Sequence, residues 1–318
     1  MNEEQKVSVI LVNYNQLEYT IKCVQSILNS NYSNFEIVII DNCSRDEIYS
    51  SLVDSFKEYD KVNLVRSDTN LGYVGGVNLG LALSSKASPE YFLIMNNDTL
   101  IAQESMGTFV ETCKRHGNKI IVSGKVYNYG TEDSLQYIGQ REDPEGGINQ
   151  VSIVKNRDEK DIGQYDSEME MGMLDDIYWM FPKALYEEIG GYSEYFFLYG
   201  EQNEFALRAK KAGYKLIYTP NAKLWHEGGA STCDGNKKSP RIEYWTTMAT
   251  LKLAVLHLPE GKKEQFVSKW IIRMMLKKIY LFLFRKGNFN SIKAVYVAWR
   301  HFKVWREIKF KDNGYNPF

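Results

Sequence analysis

The sequence predicts an α/β protein, a mostly parallel β-sheet flanked by helices and followed by a helical C-terminal extension. Three observations carry that expectation. Residues 7–14 (VSVILVNY), 35–41 (FEIVIID), 62–66 (VNLVR) and 91–95 (YFLIM) are short apolar runs rich in β-branched and aromatic residues. Between them lie stretches of helical pattern such as LEYTIKCVQSILN and EIYSSLVDSFKEY. Near-continuous apolar strands alternating with amphipathic helices indicate βαβ units and a sheet covered on both faces. From residue 240 onward, TTMATLKLAVLHL and KWIIRMMLKKIYLFLF read as helices rich in aromatic and basic side chains.

In a parallel sheet ligands bind at the carboxyl ends of the strands. Here those ends read NYN (13–15), DNCS (41–44), RSDTNLGYVGG (66–76) and NND (96–98), so four successive strands deliver Asn, Asp, Ser or Gly to one edge. Residues 128–172 are polar and contain glycine without long apolar periodicity, and read as loops with a hairpin. Order resumes with the aromatic strand and short helix in 176–192, then a helix from 201 that ends at Gly213, then a further strand. The expected division is an α/β unit over 1–239 and a basic, aromatic-rich helical extension over 240–318.

The chain has 318 residues, 44% hydrophobic and 25% charged, which allows a sizeable core. Cys23, Cys43, Cys113 and Cys233 form no CxxC pair, which argues against structural zinc or a disulfide framework and fits a reducing, cytoplasmic setting. The N-terminus lacks the pattern of a signal peptide, and no run reaches the roughly 18 apolar residues of a spanning helix. The net charge of −1 hides an asymmetry: residues 240–318 hold 16 Lys+Arg and 5 Asp+Glu, leaving 23 and 35 in residues 1–239. A basic tail on an acidic body points to an anionic membrane surface as partner; no nucleic-acid motif accompanies the charge.

Each motif admits two readings. Asn96, Asn97 and Asp98 form either a surface turn or the delivery of a carboxylate to a ligand. The glycines of NLGYVGGVNLG (70–80) fit neither G-x-G-x-x-G nor a P-loop, and serve either a helix entry or close approach of a nucleotide. Asp41 accepts from a base or sugar, or Asn42 and Ser44 simply cap the next helix. His226 is a metal ligand or a locally bonded histidine. Glu201, Glu204 and Arg208 share a helical face. Glu204 and Arg208 suit an i, i+4 pair and Glu201 the positive helix N-terminus, whereas the functional reading makes Glu201 a general base.

Taken in order, VSVILVNYN, IVIIDNCS, NLGYVGGVNLG, LIMNNDT, GGYSEYFFLYGEQNEFALRAKKAGYKLIYTP and WHEGGAST resemble the inverting family 2 glycosyltransferases of GT-A (Rossmann-like) fold, in their rhamnosyltransferase-like branch. The likeness covers roughly residues 7–232. It implies that Asn13, Tyr14, Asn15, Asp41, Asn42, Ser44, Asn70, Gly72, Gly75, Gly76, Asn78, Asn96, Asn97 and Asp98 bind a nucleotide sugar. It further implies that Asp98 and His226 hold Mg²⁺ or Mn²⁺ against the diphosphate, and Trp179 is the expected acceptor contact. Two departures stand out: Asn96 occupies the first D-x-D position, and the family's Glu-Asp-x-Asp segment reads Glu201, Gln202, Asn203, Glu204. Glutamine cannot take a proton, so Glu201 becomes the expected base and Glu204 the second choice.

The implied reaction moves one sugar, with inversion, from a nucleoside diphosphate donor (dTDP-rhamnose by branch, UDP-hexoses next) to a glycan or lipid-linked glycan hydroxyl in polysaccharide biosynthesis. Gln202 favours the alternative of an inactive nucleotide-sugar-binding protein. A nucleotidyltransferase would need a basic, Gly-rich N-terminal loop, and LVNYNQLEYT has no Lys or Arg.

Overall fold

The structure, a computed structural model, describes residues 4–142, 148, 150–154, 159–228, 239–285 and 287–318. Cys233, Lys286 and the end of the WHEGGAST motif lie outside them. The first half of the chain runs β1 (Val7–Asn13), α1 (Leu17–Leu28), β2 (Phe35–Asp41), α2 (Asp46–Phe56), β3 (Val62–Arg66), α3 (Gly72–Ser84), β4 (Tyr91–Asn96), β5 (Thr99–Ile101) and α4 (Ser105–Arg115). It continues with β6 (Ile120–Asn128), β7 (Ser134–Tyr137), β8 (Gln140–Glu142), β9 (Gln150–Ser152), β10 (Glu159–Lys160) and β11 (Met169–Glu170). The second half holds β12 (Tyr178–Pro182), α5 (Lys183–Ile189), α6 (Glu201–Lys211), β13 (Lys215–His226), α7 (Pro240–His257), α8 (Glu260–Phe284) and α9 (Phe289–Ile308).

The four N-terminal strands pair in parallel in the order β3-β2-β1-β4, as the alternating pattern predicts. Their register brings Asn13 beside Asp41, Asp41 beside Arg66 and Val12 beside Asn96, so the polar strand ends do share one edge. Beyond β4 the sheet becomes mixed: β12 runs antiparallel to β4 and β6, while β13 runs parallel to β6. That reversal matters for the site. An antiparallel neighbour places the start of β12 beside the end of β4, so Asp175 and Asp176 arrive next to residues 96–98; the Asn96 N–H donates to Ile177 O at 2.9 Å.

Side chains alternate across the sheet into two cores. Val9, Leu11, Leu93 and Met95 pack under α1, α2 and α4, and Ile10, Phe92, Ile94 and Phe181 pack under α3, α5 and α6. The glycines of 70–80 serve this second core. Gly72 begins α3 at φ 71°, and a Cβ on Gly76 or Gly80 would stand 2.8 Å from Val12 Cγ1 or 2.5 Å from Ile10 Cγ2. Helix α3 therefore lies directly on β1, and the absence of side chains on Gly76 and Gly80 allows that helix–sheet contact. Gly213, at φ 85°, closes α6 as expected. The three C-terminal helices share a third cluster, in which Trp245, Leu251, Ala298 and Trp305 meet Phe197 and Tyr199 of the loop before α6. Among the described residues, no helix is long and apolar enough to cross a membrane, and Cys23, Cys43 and Cys113 are free.

Candidate active site

The edge formed by β1 and β2 is a closed hydrogen-bond web. Asn13 has no exposed surface; its Nδ2 donates to Asp41 Oδ1 (2.8 Å) and Ser44 Oγ (3.1 Å). Its Oδ1 accepts from Gln16 N, Thr20 Oγ1 and Asn97 Nδ2, the last at 3.4 Å. Asp41, equally buried, also accepts from Ser44 N and lies 3.6 Å from Arg66 Nε. Asn42 ties Asn70 Oδ1 and Gly72 O to Leu71 N. A buried carboxylate or amide is costly unless its hydrogen bonds are made. Asn13, Asp41 and Ser44 are thus tied into the loops that they shape, and the half-buried Asn97 joins them through Asn13 and Thr20. Both ends of the Asn78 amide bind the backbone of Tyr192. What faces outward is Tyr14, Asn70 and the backbone at Asn15 and Cys43, both held at positive φ.

The other end of the edge differs. The β5–β13 ladder sets His226 opposite Thr99, one residue from Asp98, and His226 Nε2 comes within 3.3 Å of Asp98 Oδ1. Gln136 Nε2 donates to Asn128 Oδ1 and His226 O, so its Oε1 faces the ring and accepts from His226 Nδ1 at 2.6 Å. With the proton on Nδ1, the Nε2 lone pair points toward the carboxylate, which is the way histidine is prepared for a metal. One imidazole and one carboxylate would suit Mn²⁺ or Mg²⁺ as part of a ligand set. Among the described residues no group of three or more His, Cys, Asp or Glu side chains is placed to hold a metal ion.

Beside this pair stands a carboxyl cluster. Glu201 opens α6 after Gly200, whose φ of 89° suits glycine and whose Cβ would stand 2.7 Å from Ala249 Cβ. The Glu201 side chain is 4% exposed and its Oε2 is buried without a hydrogen-bond partner. Burial, then the charge of Asp176, pushes its carboxyl well above the usual range. Asp176, bonded by the Tyr192 hydroxyl at 2.7 Å, is pushed up to about 7 by burial and the charge of Asp175. Asp175 is raised by burial, with His226 acting against the shift. Sequence reasoning passed over Asp175, Asp176 and Gln136; the signal for the first two was an acidic pair directly before an all-apolar strand.

Glu204 is held in an ion pair, which runs against the role of second-choice base. Arg208 Nε reaches both of its oxygens at 2.9 and 2.8 Å, and His257 Nε2 lies 3.4 Å away. Burial alone would raise its carboxyl, but His257 and the Arg208 guanidinium hold it below the usual range. Arg208 also donates to Ile189 O and Gly191 O, each at 2.6 Å, so the pair fastens α6 to the turn after α5. Trp179 is a second correction. It is wholly buried against Phe205 and Tyr192, with no surface to offer an acceptor.

The chain is similar in sequence and in fold to known proteins. The glycosyltransferase GlyG of Streptococcus pneumoniae serotype 4 is 26% identical over 132 residues, 41% of this chain and 42% of GlyG, so the match spans less than half of that relative. The solved structure of GalNAc-T7 with UDP, GalNAc and Mn²⁺ superposes with a TM-score of 0.59 at 16% identity, over 88% of this chain and 58% of that one. TarS of S. aureus, residues 1–349 with UDP-GlcNAc, gives 0.57 at 17% identity, over 93% and 80%. At those identities the structures speak for the fold, which is GT-A. The model of glycosyl transferase family 2 matches residues 8–190, more than half of the chain, and the protein belongs to that family.

Proposed function

We propose that the chain transfers a sugar, with inversion, from a nucleoside diphosphate sugar to a hydroxyl of a glycan or lipid-linked glycan. The observation that supports this reading best is the juxtaposition of two unlike groups at one sheet edge. Asp98 and His226 form a cation-competent pair, and Glu201 is a buried carboxyl with an unpartnered oxygen. Family membership, and relatives solved with UDP or UDP-GlcNAc, support the donor class.

In this reading Asp98 and His226 would hold Mg²⁺ or Mn²⁺, which when bound would neutralise charge on the leaving diphosphate. Glu201 Oε2 accepts the proton of the acceptor hydroxyl as its oxygen attacks the anomeric carbon. Low solvation and neighbouring carboxyls raise the proton affinity of Glu201, making it a stronger base than an exposed glutamate. Asp176 keeps the proton balance of the cluster, since three close carboxyls cannot all ionise cheaply. Tyr14 and Asn70, exposed on the rim, would meet the base and ribose. For the donor, dTDP-rhamnose and the UDP-hexoses are the first to test; the acceptor belongs to polysaccharide assembly at the cytoplasmic face.

The test is a panel of nucleotide sugars assayed for transfer and donor hydrolysis with Mn²⁺, with Mg²⁺ and with EDTA. Metal-dependent turnover that Glu201→Gln removes while donor binding persists supports the reading. Donor binding with no turnover on any acceptor would favour the inactive binding protein that Gln202 suggests.

A further inference from the structure

The C-terminal helices carry a surface that sugar transfer does not use. On α8, Ile272, Leu276, Ile279, Tyr280 and Leu283 follow i, i+4, i+7, i+8, i+11 spacing, one helical face, and all are exposed, Leu276 at 61% and Leu283 at 62%. The face turned to α7 and α9 is a different one, marked by buried Val267 and Ile271. Lys269, Arg273 and Lys277, four residues apart, run alongside the exposed stripe and make no ion pair among the described residues. Lys278 differs: it bonds Glu243 at 2.6 Å and belongs to the packing with α7. A groove of about 410 Å³ between α8 and α9, lined by Ile271, Met275, Leu276, Tyr296 and Trp299, deepens the apolar face.

We propose that this face of α8 docks on an anionic lipid bilayer, with the stripe entering the headgroup–acyl boundary and the three cations meeting lipid phosphates. Two observations favour a bilayer over a second copy of the chain. The exposed apolar residues are flanked by unpaired cations of one sign, whereas a self-complementary interface would oppose those cations to one another. The remainder of the chain is acidic, yet among the described residues it gives them no ion-pair partner, while an amphipathic helix with Lys and Arg beside Leu, Ile and Tyr is the composition that interfacial binding requires. Helix α7 links this surface to the site, since Trp245 stacks on Phe197 in the loop leading to Glu201. The inference does not depend on which sugar is moved.

The test is co-sedimentation of the full chain with phosphatidylcholine vesicles containing increasing phosphatidylglycerol. Binding should rise with the anionic fraction and fall with salt. The triple variant Lys269→Glu, Arg273→Glu, Lys277→Glu should bind on the order of 100-fold more weakly. Ile272→Ser, Leu276→Ser, Leu283→Ser should also lose binding. A control with the same charge change on the body, Lys57→Glu, Lys114→Glu, Lys160→Glu, should bind as the parent does. Melting curves verify folding, with Arg273→Glu and Leu276→Ser alone replacing any triple variant that unfolds. Equal binding to neutral vesicles, loss of binding in the control, or a dimer that Leu276→Ser dissociates in place of vesicle binding would each overturn the proposal.

Discussion

The two ends of the sheet's carboxyl edge use the same residue types and reach opposite states. Around Asn13, Asp41 and Ser44 the buried polar groups are joined in one web. Around Glu201 they are not: Glu201 Oε2, Gln202 Oε1 and Trp179 Nε1 are buried and unpartnered. A satisfied web stiffens loops, while unmet hydrogen-bonding capacity in a buried place is a cost that a ligand or a proton can relieve. The comparison teaches that burial of a polar residue does not by itself mark a reacting group; what marks it is an unsatisfied atom beside groups that shift its proton affinity.

The sharpest way to break this contrast is to alter the open end. Asp98→Ala should abolish transfer while the melting temperature holds, since Asp98 lies outside the hydrophobic cores and its one ion-pair partner among the described residues is His226; retained turnover in excess EDTA would refute the metal role. Glu201→Gln should lower turnover by on the order of 10²-fold or more with donor affinity preserved. It should also raise the melting temperature at pH 8. The raised carboxyls of Glu201 and Asp176 contribute stability that is complete below their unfolded values and is lost as pH rises through the folded ones, about 7 for Asp176. Removing one ionising member removes part of that loss, and a variant that melts lower at pH 8 would count against a strained site.

The closed end should respond in the reverse sense. Asn13→Ala strands the hydrogen-bond partners of one buried amide and should cost about 3 kcal/mol in denaturant unfolding, with little change in turnover per folded molecule. If turnover collapses while stability holds, the web touches the donor directly. The smallest expected effect is a shift in pH profile. Turnover should climb with pH as Glu201 ionises, and Asp176→Asn, by removing a neighbouring negative charge, should move that limb to lower pH. An unmoved limb would separate the two carboxyls.

How much of this was written in the chain can be judged residue by residue. The apolar runs and their polar ends determined the parallel half of the sheet and the sharing of one edge by residues 13–15, 41–44 and 96–98, because period and burial of β-strands are local properties of sequence. The motif order also brought Asp98 and His226 forward as partners. Other choices were not local. Glu201 and Glu204 occupy the same helical face by spacing alone; His257, which arrives on α7 more than fifty residues later, together with Arg208, makes one a structural anion, while the other keeps an unpartnered oxygen. Asp175 and Asp176 reach the site only because β12 runs antiparallel to β4, and Gln136 fixes the His226 tautomer from a segment that reads as loop. The sequence by itself determined which elements form and what their ends are made of. Only the tertiary structure decided which polar groups find partners, because a hydrogen bond between distant residues depends on how the sheet is threaded.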